Sequence, residues 1–127
     1  MSNVVISPQK PVLPDGTNAL NHSGYGTVSG ATTVDNDYTV PSGKTAIIYA
    51  IDWSTDSKDL SCELIINGNT VYSQRGQDPS AGSENWTHSV SFGRGWKATA
   101  GQVIRVRFSS GAAGDRHFTF SVVGMLI

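Results

Sequence analysis

Cysteine, net charge and long apolar runs are all scarce in this sequence. The single cysteine, Cys62, cannot form an internal disulfide and offers no metal-ligand spacing. No segment approaches the roughly 18 apolar residues of a membrane-spanning helix, and the N-terminus lacks the basic and apolar regions of a signal peptide. The net charge of −1 provides no basic excess to hold a phosphate backbone. We therefore expect synthesis in the cytoplasm, with neither nucleic acid nor a membrane as a partner.

Patterns that carry catalysis or bind metals are equally sparse. The three histidines are scattered, no serine lies in a Gly-x-Ser-x-Gly elbow, and no pair of carboxylates stands out. Asp35-Asn36-Asp37 resembles part of a calcium loop but lacks the remaining ligands, so an Asx-type turn is the favoured interpretation. The sequence predicts no catalytic residue, no cofactor and no metal, and hence a protein that is not an enzyme. A small sandwich enzyme would need an acid–base pair that only the fold brings together.

Glycine is frequent, with 14 residues, and short apolar or alternating segments recur at roughly ten-residue spacing. Thr45–Trp53 is almost continuously apolar, which predicts a strand buried on both faces. Asn67-Gly68 predicts a type I′ hairpin, and Gly93-Arg94-Gly95 predicts another turn. Without helical periodicity, the pattern predicts an all-β fold with a single antiparallel β-sandwich, jelly-roll-like in topology. An immunoglobulin-like sandwich is the alternative.

The N-terminal segment differs from the rest of the chain. A short apolar patch is followed by prolines at three-residue spacing, which favours extended backbone. We predict an extended N-terminal arm over residues 1–25 and a β-sandwich domain over residues 26–127. A frayed terminus or an edge strand packed on its own domain is the alternative.

Two sets of side chains outside the arm could contact a ligand or a partner. Trp86 and Trp96 flank the long polar loop and the Gly-Arg-Gly segment, so they could lie near one another and stack on a glycan. The alternative is that both tryptophans simply bury apolar area. Arginines at positions 105, 107 and 116 could form a basic patch near Arg94 if the last two strands are neighbours, or could lie on a solvated sheet face.

The chain ends in the apolar residues Met125, Leu126 and Ile127. A terminal strand that pairs in the centre of a sheet would explain this end. An interface between subunits would explain it equally well, and the sequence leaves both explanations open.

Several turn-and-strand units occur together in one order. They are Thr39–Ile48, which contains Pro-Ser-Gly-Lys-Thr, Ile66–Asn69, Thr99–Val106, which contains Ala-Gly-Gln-Val-Ile, and Phe118–Gly124. This order resembles small β-sandwich virion proteins of tailed bacteriophages, which include head-decoration (cement) proteins and the head domains of phage fibres. The resemblance covers residues 39–127.

The resemblance implies a structural role in the virion, after synthesis in the host cytoplasm. Such proteins commonly form symmetric oligomers, here expected to be a homotrimer, that bind the major capsid protein and stabilise the outside of the capsid. The arm would contact the capsid and the C-terminal residues 125–127 would form the oligomer interface. The expected arm contacts are Val4, Val5, Ile6, Pro8, Pro11, Val12 and Leu13. The alternative function is a carbohydrate- or receptor-binding domain of a phage fibre that uses Trp86 and Trp96.

Overall fold

The computed structural model describes residues 18–76 and 86–127. These residues form eight strands, and within them no helix is long and apolar enough to cross a membrane. The strands are β1 (Asn18–Ser29), β2 (Thr33–Thr39), β3 (Thr45–Thr55), β4 (Leu60–Ile66), β5 (Asn69–Arg75), β6 (Trp86–Thr99), β7 (Val103–Ser110) and β8 (Asp115–Leu126).

The strands form two four-stranded antiparallel sheets. The first sheet has the order β1-β8-β3-β6 and the second has the order β2-β7-β4-β5. Among the described strands, β4 and β5 alone are consecutive in both sequence and sheet, and every other connection crosses between the sheets. This is the double Greek key of an eight-stranded jelly roll, and not the strand order of an immunoglobulin domain. The predicted all-β, jelly-roll-like sandwich is therefore confirmed.

The core lies between the sheets because side chains alternate along each strand. On β7, Ile104, Val106 and Phe108 are buried while the arginines between them face outward. The rings of Phe108 and Phe118 bridge the two sheets, stacked with centroids 3.9 Å apart. Burial of such rings removes large apolar areas from water, which is the main stabilising term of the fold.

The turn between β4 and β5 follows the prediction. Asn67 has φ 50° and Gly68 has φ 81°. Two consecutive residues with positive φ are the requirement of a type I′ turn, whose twist matches that of the flanking strands.

The segment Gly93-Arg94-Gly95 is not a turn, contrary to the prediction. It lies inside β6, where the pairing with β3 jumps from Ile48↔Trp96 to Ala50↔Ser91. Residues 92–95 therefore form a bulge in which four residues oppose Tyr49 alone. Gly93 and Gly95 take φ values of 59° and 87° there, so the glycines absorb extra chain length without ending the strand.

The domain boundary also differs from the prediction. Residues 18–25, which were assigned to the arm, form the first part of β1, and this strand pairs with β8 along its whole length. Leu20 and His22 face the core and are buried, which is why the sandwich begins before residue 26. The expected arm contacts from Val4 to Leu13 lie outside the described residues.

The apolar C-terminus is explained only in part by contacts within one chain. Strand β8 lies between β1 and β3, and Leu126 is buried opposite Ala46. The backbones of Ile127 and Thr45 exchange two hydrogen bonds of 2.9 and 3.0 Å. Central pairing of the last strand therefore explains Leu126, which belongs to the core, but it leaves Met125 and Ile127 facing away from the core.

Candidate binding surfaces at the two ends of the first sheet

The outer face of the first sheet carries two different surfaces. Strand β3 was expected to be buried on both faces, but the side chains that alternate away from the core are partly or fully exposed. The reason is that no further layer of described residues covers this face of a two-sheet sandwich. On the central strands β3 and β8, side chains at one end of the face are apolar, and the other end is rich in hydroxyl groups.

We call the apolar end the apolar patch. It consists of Ile47, Tyr49, Val123, Met125 and Ile127. Ile47 is directly opposite Met125 in the register between β3 and β8. Tyr49, Val123 and Ile127 are 36%, 44% and 52% exposed. A contiguous apolar surface on the central strands of a sheet is typical of a protein–protein interface.

A glycine allows the backbones of β3 and β8 to approach closely beside the apolar patch. A Cβ atom added at Gly124 would overlap the carbonyl oxygen of Ile47 and press on the Leu20 side chain. The two backbones therefore approach more closely here than any other residue would permit. This contact fixes Val123 and Met125 on the outer face.

The opposite end of the same face is hydroxyl-rich. Tyr25, Thr119, Ser54 and Thr87 lie in register across all four strands of the first sheet. The hydroxyl oxygens of Ser54 and Thr119 are 2.5 Å apart. Tyr25 is at the edge of this row on β1 and is 86% exposed.

Beside this row is an open cleft of about 450 Å³, which we call the Asp56–His117 cleft. Its polar lining consists of Ser54, Thr55, Asp56, Thr87, His117 and Thr119. Residues of β3 and the loop that follows it form one wall, and β8 and β6 contribute the remainder. One row of outward-facing side chains, that of Ser121, separates the cleft from the apolar patch, since Val123 lies four residues beyond Thr119 on β8.

Asp56 and His117 form a hydrogen-bonded pair in this cleft. The backbone N–H of His117 donates to Asp56 Oδ1 at 2.8 Å, and the ring atom Nδ1 lies 2.6 Å from Oδ2. Burial by itself raises the pKa of Asp56, but the hydrogen bonds and charge of His117, together with the backbone N–H of Asp56 itself, outweigh burial and leave the pKa lowered. Since an ionised carboxylate can only accept, Nδ1 carries the proton. The other ring nitrogen, Nε2, has no hydrogen-bond partner within residues 18–76 and 86–127.

The structure separates the two tryptophans that were expected to lie together. Both are on β6, and their pairing partners on β3 are seven residues apart, which corresponds to roughly 23 Å along an extended strand. Trp86 is half-buried beside a smaller cavity of about 210 Å³ formed with residues 56–59. Trp96 is 43% exposed at the opposite end of the strand. A shared glycan platform would have required a turn at residues 93–95, and that segment is a bulge.

The expected basic patch does not form, because β7 and β8 belong to different sheets. Arg105 donates two hydrogen bonds to Asp37 at 2.7 and 2.9 Å, and Arg107 donates two to Asp35 at 2.8 and 3.1 Å. Arg116 faces inward at the end of β8, where its guanidinium donates to the backbone carbonyl groups of residues 113 and 114. Each guanidinium is therefore committed to a contact within the chain.

The segment Asp35-Asn36-Asp37 is neither an Asx-type turn nor a calcium loop. It lies within β2, and both carboxylates are paired with arginines of β7. Asn36 instead donates to the carbonyl oxygen of Val106 at 3.2 Å. In the two described stretches, no group of three or more histidine, cysteine or acidic side chains could hold a metal ion.

The other two histidines and the cysteine are held by burial and by contacts within the fold. His22 is buried, with Nε2 3.1 Å from the carbonyl oxygen of Asn36. His88 stacks on Trp53 with ring centroids 4.5 Å apart, and its Nε2 is 2.6 Å from the carbonyl oxygen of Gly76. Cys62 is fully buried, and burial raises the pKa of its thiol far above the usual range.

Sequence reasoning missed the pairing of Asp56 with His117. The two residues are 61 positions apart and come together because Thr55 pairs with Phe118 in the register of β3 and β8. No local pattern signals this contact. A prediction of β3 and β8 as neighbours, in the correct register, would have found it.

Comparison with known proteins finds no family and only distant similarity to solved structures. No protein-family model matches the chain, and no curated protein matches it significantly. Its fold is similar to a carbohydrate-binding module, "CBM36 in complex with calcium and xylotriose", with a TM-score of 0.38, 12% identity, and coverage of 86% of this chain and 97% of that one. It is also similar to a chain of "infectious bursal disease virus Gx strain", with a TM-score of 0.34 and 10% identity. There the match covers 99% of this chain but 35% of the viral one.

Proposed function

We propose that this chain is a non-enzymatic structural protein of a phage virion, a decoration protein that binds the outside of the capsid as a homo-oligomer. The observation that carries the proposal is the apolar patch. The core of the jelly roll is formed within one chain, so the exposed part of this patch leaves apolar area facing water in the monomer. Such a surface is retained where a partner covers it.

A second copy of the chain is the partner that suits the apolar patch. The patch lies on the two central strands of a sheet, and neither of the clefts described above is lined by its residues. Two of the three residues predicted for the oligomer interface, Met125 and Ile127, belong to it, and the third, Leu126, packs in the core behind it. Around a symmetry axis the same patch would serve each subunit, as in the expected trimer.

The position of Asn18 supports a role for the N-terminal segment in capsid binding. Asn18 pairs with Leu126, so the chain enters the sandwich beside the apolar patch. In an oligomer joined through this patch, the N-terminal segments of all subunits would start close together. Several weak contacts made by residues 4–13 would then combine through their high effective concentration. The capsid partner would be the major capsid protein.

The experiment has two parts, oligomeric state and capsid binding. Val123→Asp places a charge in the apolar patch, and Thr27→Asp places the same charge on an exposed position at the hydroxyl-rich end. Light scattering should give a trimer for the wild type and for Thr27→Asp, and a monomer for Val123→Asp. A wild-type chain that remains monomeric at high concentration would rule out this interface.

Capsid binding is tested with a chain that lacks residues 1–14. Co-sedimentation with capsids of the phage that encodes the chain should be lost, while circular dichroism shows the same β-sheet content. Retained co-sedimentation would exclude residues 4–13 as the capsid contact. Failure of the intact chain to sediment with the capsids would exclude the decoration function itself.

A second candidate function is recognition of a carbohydrate receptor, as a domain of a phage fibre. The Asp56–His117 cleft favours it, because hydroxyl, imidazole and carboxylate groups converge there beside the exposed ring of Tyr25. The two functions use opposite ends of one sheet face. A mutation at either end therefore tests one function and leaves the other unaffected.

A further inference from the structure

The polar groups of the Asp56–His117 cleft are arranged around one side of an open space. Ser54 and Thr119 share a hydrogen bond, so each hydroxyl retains capacity to donate to or accept from a ligand. Because Nδ1 of His117 faces Asp56, the other ring nitrogen, Nε2, is left to form a hydrogen bond with a hydroxyl group of a ligand. A ligand that carries several hydroxyl groups could satisfy all of these groups at once.

An apolar surface lies next to this polar lining. Tyr25 is directly opposite Thr119 on the neighbouring strand, which places their Cβ atoms roughly 5 Å apart. Its ring is 86% exposed and can lie flat against a ligand that occupies the cleft. The combination of hydrogen-bonding groups with one flat apolar face matches a pyranose ring, which has hydroxyls at its edge and C–H groups on its face.

The charge around the cleft selects against acidic ligands. Asp56 lines it, and Asp52 and Asp115 lie on the same face, two residues before Ser54 and His117 respectively. No lysine or arginine is among the residues that line it. A sialylated or sulfated sugar would meet repulsion from these carboxylates, with no cation in the lining to offset it.

We propose that the Asp56–His117 cleft binds a neutral saccharide, with sugar hydroxyls on Ser54, Thr119 and His117 Nε2 and the sugar ring against Tyr25. This inference rests on the second candidate function and defines its ligand class. Affinity is expected to be weak, with a dissociation constant on the order of 1 mM, because the open cleft leaves much of the ligand in water.

The test is a titration of the ¹⁵N-labelled full chain, followed by amide chemical shifts. The probes are neutral trisaccharides ending in glucose, galactose or N-acetylglucosamine, and one sialylated trisaccharide as the acidic probe. Saturable shifts are expected at Ser54, His117 and Thr119 with at least one neutral probe, and none are expected at Val123. Shifts centred on Trp96 would place the binding site elsewhere and overturn the assignment of the cleft.

Two matched pairs of variants identify the contacts. Tyr25→Ala should weaken binding about tenfold, the usual size of a lost aromatic contact, whereas Tyr49→Ala in the apolar patch should leave it unchanged. Thr119→Val removes a cleft hydroxyl with little change of shape and should also weaken binding, whereas Ser91→Ala should not. Since Tyr25 is almost fully exposed, its variant is expected to fold, and amide shift dispersion checks this.

The outcomes separate this inference from the function on which it rests. Binding of the sialylated probe alone, at the cleft, would overturn the neutral class and keep the receptor-binding function. Binding of a neutral probe that is unchanged in Tyr25→Ala and Thr119→Val would overturn the proposed contacts. Absence of shifts with every probe would reject both the inference and the receptor-binding function, and would leave the decoration proposal untouched.

Discussion

The indole N–H of Trp53 on the first sheet donates a 2.9 Å hydrogen bond to the hydroxyl of Tyr72 on the second sheet. Trp53 is 1% exposed, so this bond satisfies a donor that water cannot reach. The ring of Tyr72 also meets Phe92 edge-on, with centroids 6.2 Å apart. A polar contact therefore joins β3 to β5 across the sandwich, near the side where β5 and β6 form the sheet edges.

Replacement of Tyr72 by Phe should destabilise the domain by roughly 1–3 kcal/mol, because it leaves the buried N–H of Trp53 unpaired. Tyr25→Phe removes a hydroxyl from an exposed ring and is the matched control, with no expected change. Urea unfolding followed by tryptophan fluorescence measures both. Equal stability of the two variants would show that the contact with Tyr72 contributes nothing.

Acidification should destabilise the domain through His22. Burial lowers the pKa of His22, although the hydrogen bond to Asn36 and the charge of Asp37 partly oppose it. The unfolded chain therefore takes up a proton near pH 6.5, before the folded chain does. This contribution to stability is complete above about pH 6.5 and is lost as the pH falls towards the lower folded pKa.

The variant His22→Gln keeps a neutral donor for the Asn36 carbonyl group and cannot take up the proton. Between pH 7 and 5 its free energy of unfolding should fall less than that of the wild type. The carboxyl groups with lowered pKa, Asp37 and Asp56, lose their contributions at lower pH, near and below about pH 4. An identical slope for both proteins between pH 7 and 5 would contradict the assignment to His22.

Substitution of Gly124 by Ala should destabilise the domain by roughly 1–3 kcal/mol, the usual cost of overpacking. The added methyl group overlaps the Ile47 carbonyl oxygen, and the paired backbones of β3 and β8 must separate to admit it. Gly111→Ala is the control, since a methyl group there meets no other atom within 4 Å. Thermal unfolding should separate the two variants, and equal melting temperatures would argue against the close approach.

The thiol of Cys62 should be inert in the folded protein. Its side chain is fully buried, and burial raises the pKa of the thiol, so the reactive thiolate is almost absent. Labelling by a thiol reagent should proceed only through unfolding and should accelerate with urea in parallel with the unfolded fraction. Rapid labelling without denaturant would show that β4 opens locally.

Local patterns in the sequence were sufficient for the fold class. Alternation along Val103–Ser109 predicts which side chains face the core, because strand side chains have a period of two. Asn67-Gly68 predicts its hairpin because few residue pairs tolerate two positive φ angles. The prediction failed at Gly93-Arg94-Gly95, since glycines permit both a turn and a bulge and only the pairing on either side distinguishes them.

Long-range contacts required the tertiary structure. The neighbours of Arg105 and Arg107 depend on which strand lies beside β7, and a pattern with a period of two reports the face of a residue but not its partner across the sheet. The same holds for Asp56 and His117, which meet through the register of strands far apart in the sequence. The sequence by itself determined an all-β sandwich with an inner and an outer face. Packing of the two sheets as a whole decided which residues share that outer face, because strand order and register are set by the entire core and not by any one segment.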